Sequence, residues 1–224
     1  MKKFTKCLMM NKYIFITGTN TDVGKTYIGT KLIKVLNKKY GYVAFKPIET
    51  GCKEIKKTLI PADSAMYYKI LKNYQTLDEL NPYRFLPPVS PYLAIRQANK
   101  KIYIKNYYQK LKILSNRSPV LIEGAGGAFS PLALDGLNID FMKLVKSINI
   151  LVIKDELGCI GSAISSILAF DKYKVRLDLL VLNTKNKNKM DNINEIKKYT
   201  NIPIINFTST NSINAIENRI NKLL

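Results

Sequence analysis

Residues 18 to 26 read GTNTDVGKT, and the way this stretch joins its neighbours decides how the chain is built. Upstream, KYIFIT (12–17) is a short β-branched and aromatic run that stops at a glycine, the pattern of a strand entering a turn. Downstream, Ile28, Leu32, Ile33, Val35 and Leu36 recur at helical spacing with Lys31, Lys34, Lys38 and Lys39 between them. A strand, glycine loop and helix in this order can cradle phosphate, because successive backbone amides point inward and the helix N-terminus adds partial positive charge. The strict form of such a loop places four residues between its first glycine and GKT. Here five separate Gly18 from Gly24. Read as a nucleotide site, Thr21, Asp22, Val23 and Gly24 supply the cradle, Lys25 reaches the terminal phosphates and the Thr26 hydroxyl coordinates magnesium. The alternative is a glycine turn that only caps a surface helix.

The rest of the chain alternates in the same way. Gly41 ends the first helix, and YVAFKP (42–47) makes a second strand stopped by proline. Residues 63–72 read as helix, NPYRFLPPVSPY (81–92) is too rich in proline for a regular element, and 94–114 reads as one long helix. The apolar strand PVLIEG (119–124) leads into the glycine-rich turn GAGGAFSPL, and NILVI (149–153) and LDLLVL (177–182) are further strands around a helix at 160–170. Short buried strands alternating with amphipathic helices predict an α/β fold, with a mostly parallel central sheet flanked by helices on both faces, like that of the P-loop NTPases. Ligands then sit at the carboxyl ends of the strands, where the polar motifs fall.

A chain of 224 residues suits one hydrophobic core, so residues 12–224 are read as a single domain and 1–11 as an N-terminal extension. No run approaches the roughly 18 apolar residues of a membrane span. Cysteines at 7, 52 and 159 are unclustered and no histidine occurs, which suggests neither a disulfide framework nor a zinc site and excludes any Ser/His or Cys/His nucleophile pair. A reducing cytoplasm fits this usage. The formal charge of +20 raises nucleic-acid binding. The lysines are spread along the chain instead of forming a recognised module, so a basic solvated surface is the preferred reading, including KNKNKM (185–190).

Three charged residues outside the loop are candidates for chemistry. Glu123 ends the strand VLIE, where Gly124, Gly126 and Gly127 leave the edge open to close approach. A carboxylate held there faces Thr26 with the hard oxygen that magnesium prefers. Asp63 opens a helix, where it is either a ligand or an ordinary acidic first-turn residue. Lys46, in FKPIETG, ends a buried strand; it either reaches water or places its ammonium over the catalytic edge. Glu49, in the same turn, has no distinguishing context.

Together these segments resemble the dethiobiotin synthetases. The resemblance is carried by GTNTDVGKT (18–26), FKPIETG (45–51), Asp63, NPYRFLPPVSP (81–91), VLIEGAGG (120–127), LGCIGSA (157–163) and the strand ending at Asn183, in the family's order over residues 12–183. It implies that the extra loop residue is the family's own version, with Thr21 facing the site. It also implies ATP-dependent closure of a ureido ring, from 7,8-diaminononanoate and carbon dioxide, through a carbamate and a carbamic-phosphoric anhydride. Lys25 and Lys46 are then catalytic, and Thr26, Asp63 and Glu123 hold Mg2+. Thr21, Lys46, Thr50, Gly126 and Gly161 contact the substrate, and Asn183 reads the adenine edge. The family forms homodimers, with the substrate carboxylate near the interface at the segment like LGCIGSA. Many members have asparagine at the place of Gly161, so the missing side-chain amide either weakens the carboxylate grip here or shifts it onto backbone amides.

The main alternative is a regulatory or partitioning ATPase of the same deviant-loop class. Such proteins carry an early lysine in a KGGxGKT pattern; Asn20 stands at that position. KPIETG also disfavours this reading, and 224 residues do not accommodate the extra domain of acyl-transferring relatives.

Overall fold

The computed structural model describes residues 12–184, 191–209 and 211–224. The expected N-terminal extension and the KNKNKM segment lie outside the described residues.

The elements run in chain order as β1 (Tyr13–Gly18), α1 (Lys25–Tyr40), β2 (Val43–Phe45), β3 (Ile48–Glu49), β4 (Lys53–Ile55) and β5 (Thr58–Ile60). Next come α2 (Ala62–Leu71), α3 (Leu77–Leu80), β6 (Tyr83–Arg84), α4 (Pro91–Gln97), α5 (Ile104–Ser115) and β7 (Val120–Gly127). The remainder is α6 (Asn138–Val145), β8 (Ile148–Lys154), α7 (Cys159–Lys172), β9 (Leu179–Asn183), α8 (Asn192–Lys197), β10 (Ile204–Phe207) and α9 (Ser212–Asn221).

Six strands form one parallel sheet in the order β10-β9-β8-β1-β7-β2. Its strands are mostly apolar because both faces are covered. Along β1, Ile14 and Ile16 enter a core shared with α1, α2 and α9, while Phe15 between them enters the other core, under α5, α6 and α7. This is the two-residue side-chain period of a strand. The sheet is therefore the predicted α/β architecture with helices on both faces, as in P-loop NTPases. Among the described residues no helix is long and apolar enough to cross a membrane.

The expected single helix over 94–114 is instead two. Asn99 adopts a left-handed backbone, φ 51°, and the Ala98 and Lys100 amides close back onto the Ala94 and Ile95 carbonyls at 3.0 Å. That is the closure of a helix C-terminus, and asparagine tolerates it. The chain then turns inward to bury Ile102 before α5 starts. Strand β7 continues through EGAGG to Gly127 rather than ending at Gly124, because Gly127 still pairs with Gly18 beyond an irregularity in the register. The hairpin of β4 and β5, the short pair β3 and β6, the strand β10, and the helices α3, α6, α8 and α9 add to the elements expected. The stretch 81–92, expected to be irregular, contains β6 and the start of α4, where Pro91 occupies the first helical position.

Candidate active site

The sheet's carboxyl edge gathers the polar motifs. Gly24, φ 98°, turns the chain out of the loop into α1, whose first turn contains no acidic residue to compete for an anion. The loop is pinned from two sides: the Thr19 amide donates to the Val152 carbonyl at 3.0 Å, and Asn183 Nδ2 donates to the Val23 carbonyl at 2.9 Å. A Cβ at Gly24 would lie 2.2 Å from Asn183 Nδ2, so glycine is required there for space as well as for its positive φ. Asn183 Oδ1 is buried with no hydrogen-bond partner. Lys25 is largely buried, and its ammonium donates to the Asn20 carbonyl at 2.8 Å. Burial, reinforced by Lys46 against the attraction of Glu123, lowers its pKa to about 8.

Lys46 directly follows β2 and is 4% exposed. Its ammonium lies 2.6 Å from Asp63 Oδ2 and 2.6 Å from Glu123 Oε1. Burial opposes its charge, but the carboxylates of Glu123, Asp63 and Glu49 outweigh burial, and its pKa is raised. Asp63 responds in kind: burial pushes its carboxyl up, and Lys46 more than offsets this, so its pKa falls below the usual range. The Thr26 hydroxyl donates to the same Glu123 Oε1 at 2.8 Å. The other oxygen, Oε2, accepts from the Tyr67 phenol at 2.6 Å.

These groups border an open cleft of about 900 Å³. Of the residues expected from sequence, Thr21, Asp22, Gly24, Lys25 and Thr26 line it from the loop side. Lys46, Thr50, Asp63 and Gly126 line it from the others. Glu123 stands behind Thr26 and Lys46, Val23 is turned into the core, and Asn183 lies under the loop. Gly161 is placed apart, on the first turn of α7, with open space where a side chain would be. A smaller depression of about 190 Å³, lined by Thr21, Gly158, Cys159 and Ser162 among others, separates that turn from the loop.

Asp63 and Glu123 meet at Lys46 Nζ and the Thr26 hydroxyl joins them at Glu123, and two carboxylates with a hydroxyl are a set that magnesium accepts when phosphate and water complete its octahedron. Among the described residues no group of three or more His, Cys, Asp or Glu is positioned to hold a metal by itself.

A family model described as an AAA domain matches residues 12–207. The ATP-dependent dethiobiotin synthetase BioD of Vesicomyosocius okutanii is 34% identical over 213 residues, which is 95% of this chain and 97% of that protein. The chain belongs to the dethiobiotin synthetase family. The family's counterpart in Clostridium kluyveri is 32% identical over 204 residues, 88% of this chain and 85% of its own. Among solved structures, a plasmid partition protein from Borrelia burgdorferi bound to AMPPNP superposes with a TM-score of 0.59. That match has 15% identity and covers 96% of this chain and 99% of the other. A ParA family ATPase from Chlorobium tepidum gives 0.53 at 12% identity, covering 94% and 92%. At such identities these likenesses establish the shared fold alone.

Three residues that the sequence did not single out organise this family site. Glu49 is buried, and its carboxylate accepts from the Asp63 and Ser64 amides at 2.8 and 3.0 Å and from the Ser64 hydroxyl at 2.6 Å. It thus caps α2 from another strand, where Pro61 offers no side-chain cap of its own. Nothing local in the sequence signals this, since the partners are 14 and 15 residues away. Asn138 is fully buried and fixes the glycine-rich edge, donating to the Ala125 and Gly127 carbonyls and accepting from the Ala125 amide. Tyr67 did leave a signal: it stands four residues after Asp63, on the same face of α2. Replacing Glu49 with alanine is expected to lower stability by about 1–2 kcal/mol through loss of the helix cap, as measured by denaturant unfolding.

Proposed function

We propose that this protein closes the ureido ring of dethiobiotin from 7,8-diaminononanoate, carbon dioxide and ATP, with release of ADP and phosphate. The observation that carries this reading is the meeting of Lys46 and Glu123 at 2.6 Å, which joins KPIETG and EGAGG beside the phosphate loop. A loop that only capped a surface helix would have no use for a buried lysine and two carboxylates at its mouth.

In this reading one amine of the diamine takes up carbon dioxide and loses a proton to become a carbamate. A carbamate oxygen then attacks the γ-phosphorus, the bond to the β-γ bridging oxygen breaks, and ADP departs. The second amine attacks the carbonyl of the mixed anhydride, loses a proton and expels phosphate, closing the ring. Two anions must approach each other in the second step, so a cation between them lowers its barrier. Lys25 binds the terminal phosphates, and Lys46 stabilises the carbamate and the transferring phosphoryl group. Thr26, Asp63 and Glu123 would hold magnesium, which supplies charge neutralisation at the phosphates. Thr21, Thr50 and Gly126 border the diamine. The start of α7, at Gly161, receives the distal carboxylate near a homodimer interface. The unpartnered acceptor Oδ1 of Asn183 suits the exocyclic amine of adenine.

The test follows phosphate release from Mg-ATP and bicarbonate, with and without the diamine, and the mass of the organic product. Release that depends on the diamine, with a product that has gained one carbonyl and lost two hydrogens, is the expected result. Hydrolysis indifferent to the diamine would replace this reading with that of a switch-type ATPase.

A further inference from the structure

Glu123 has two carboxylate oxygens with different surroundings. Oε1 faces the cleft side, where Thr26 and Lys46 donate to it at 2.8 and 2.6 Å. Oε2 faces inward and accepts from the Tyr67 phenol at 2.6 Å. Tyr67 is 1% exposed, so its phenol has no water to donate to in place of Glu123. The ring is also wedged in place: a Cβ at Gly29 on α1 would lie 1.8 Å from the Tyr67 oxygen, so that glycine leaves just enough room for the phenol. Helix α2 therefore delivers two groups one turn apart, Asp63 toward the cleft and Tyr67 to the back of Glu123.

We infer that Tyr67 is a positioning residue that confines Glu123 to single-oxygen coordination and thereby sets the preference of the site for magnesium over calcium. The inference rests on the magnesium reading of Thr26, Asp63 and Glu123 given above. Magnesium takes six ligands at close to octahedral angles and binds a carboxylate through one oxygen. Calcium accepts six to eight, at longer distances, and often takes both oxygens of a carboxylate. Turning Glu123 so that both oxygens face the ion breaks a hydrogen bond to a charged acceptor and strands a buried phenol without a partner. That cost falls on two-oxygen coordination alone. One-oxygen coordination through Oε1 leaves the phenol bond intact.

The experiment titrates a non-hydrolysable ATP analogue into the protein by calorimetry, in saturating magnesium, in saturating calcium and in chelator. For the native chain, magnesium tightens binding more than calcium does. Tyr67→Phe keeps the ring and removes only the donor; it lowers the magnesium-to-calcium preference about tenfold, the scale on which partners of metal ligands act. A general loosening of the site would weaken both metals together and leave the ratio unchanged, and an unchanged ratio overturns the inference. Gly29→Ala, whose methyl displaces the phenol from Glu123 without changing any residue of α2, lowers the same ratio by the second route. If neither metal alters binding to the native chain, the magnesium reading itself falls and takes this inference with it, an outcome distinct from a native preference that Tyr67→Phe leaves unmoved.

Discussion

Lys46→Ala is expected to suppress diamine-dependent turnover by about a hundredfold to a thousandfold, the scale of losing one preorganised charge at a developing anion, while nucleotide affinity stays close to that of the native protein. The asymmetry follows from where the ammonium sits. It is held between Asp63 and Glu123 at the carboxyl edge of β2, not in the loop that cradles phosphate. An equal loss of nucleotide binding and turnover would sink the transition-state role. The same variant has a second signature. Without Lys46, the buried carboxylate of Glu123 faces Asp63 with no cation between them. Breaking such a buried pair costs of the order of 3 kcal/mol. Unfolding in chelator should show that loss, and magnesium with nucleotide should restore part of it.

Lys25→Ala should do the reverse at the first step and lower nucleotide affinity by about tenfold to a hundredfold, since hydrogen bonds to charged partners contribute roughly 1.5–3 kcal/mol. Calorimetric titration with a non-hydrolysable analogue reads this directly. Stability should move the other way. The pKa of Lys25 is lowered from 10.5 to about 8 by burial, so the folded state holds its proton less tightly than the unfolded state does. The penalty for keeping it charged is full below pH 8 and is relieved as pH rises from about 8 toward 10.5. Nucleotide-free Lys25→Ala should therefore unfold at a higher temperature than the native chain at pH 7, with the gap closing above pH 8. A lower unfolding temperature at pH 7 would show that packing of the lysine stem outweighs desolvation of its charge. The two lysines, both lining the same cleft, are thus expected to separate into one that binds and one that turns over.

The sequence made some of this legible and hid the rest for definable reasons. The strand, loop and helix around GTNTDVGKT were readable because each depends on neighbours in the chain: β-branched residues, glycines and a helical apolar stripe. Gly41 closing α1 was readable on the same ground. The break between α4 and α5 was not, because Asn99 carries the left-handed turn without a glycine or proline to announce it. Glu49 looked featureless, since a carboxylate that caps a distant helix is indistinguishable from one in water until the fold brings the helix to it. Asp63 stood between cap and ligand in the sequence. The structure gives the α2 amides to Glu49 and leaves the Asp63 carboxylate to Lys46 and the cleft.

By itself, then, the sequence determined an alternating α/β chain with a phosphate loop one residue longer than the strict form, and two further motifs that mark the family. Those properties are local: periodicity, glycine conformation and residue type act over a few positions. Tertiary structure alone decided that Lys46 and Glu123, 77 residues apart, would meet, because β2 and β7 lie side by side in the sheet. It also decided which oxygen of Glu123 meets Thr26 and Lys46. That choice depends on a phenol from α2, 56 residues away, and on a glycine of α1 that makes room for it. A carboxylate's two oxygens are chemically equivalent in the chain, and only packing makes them different.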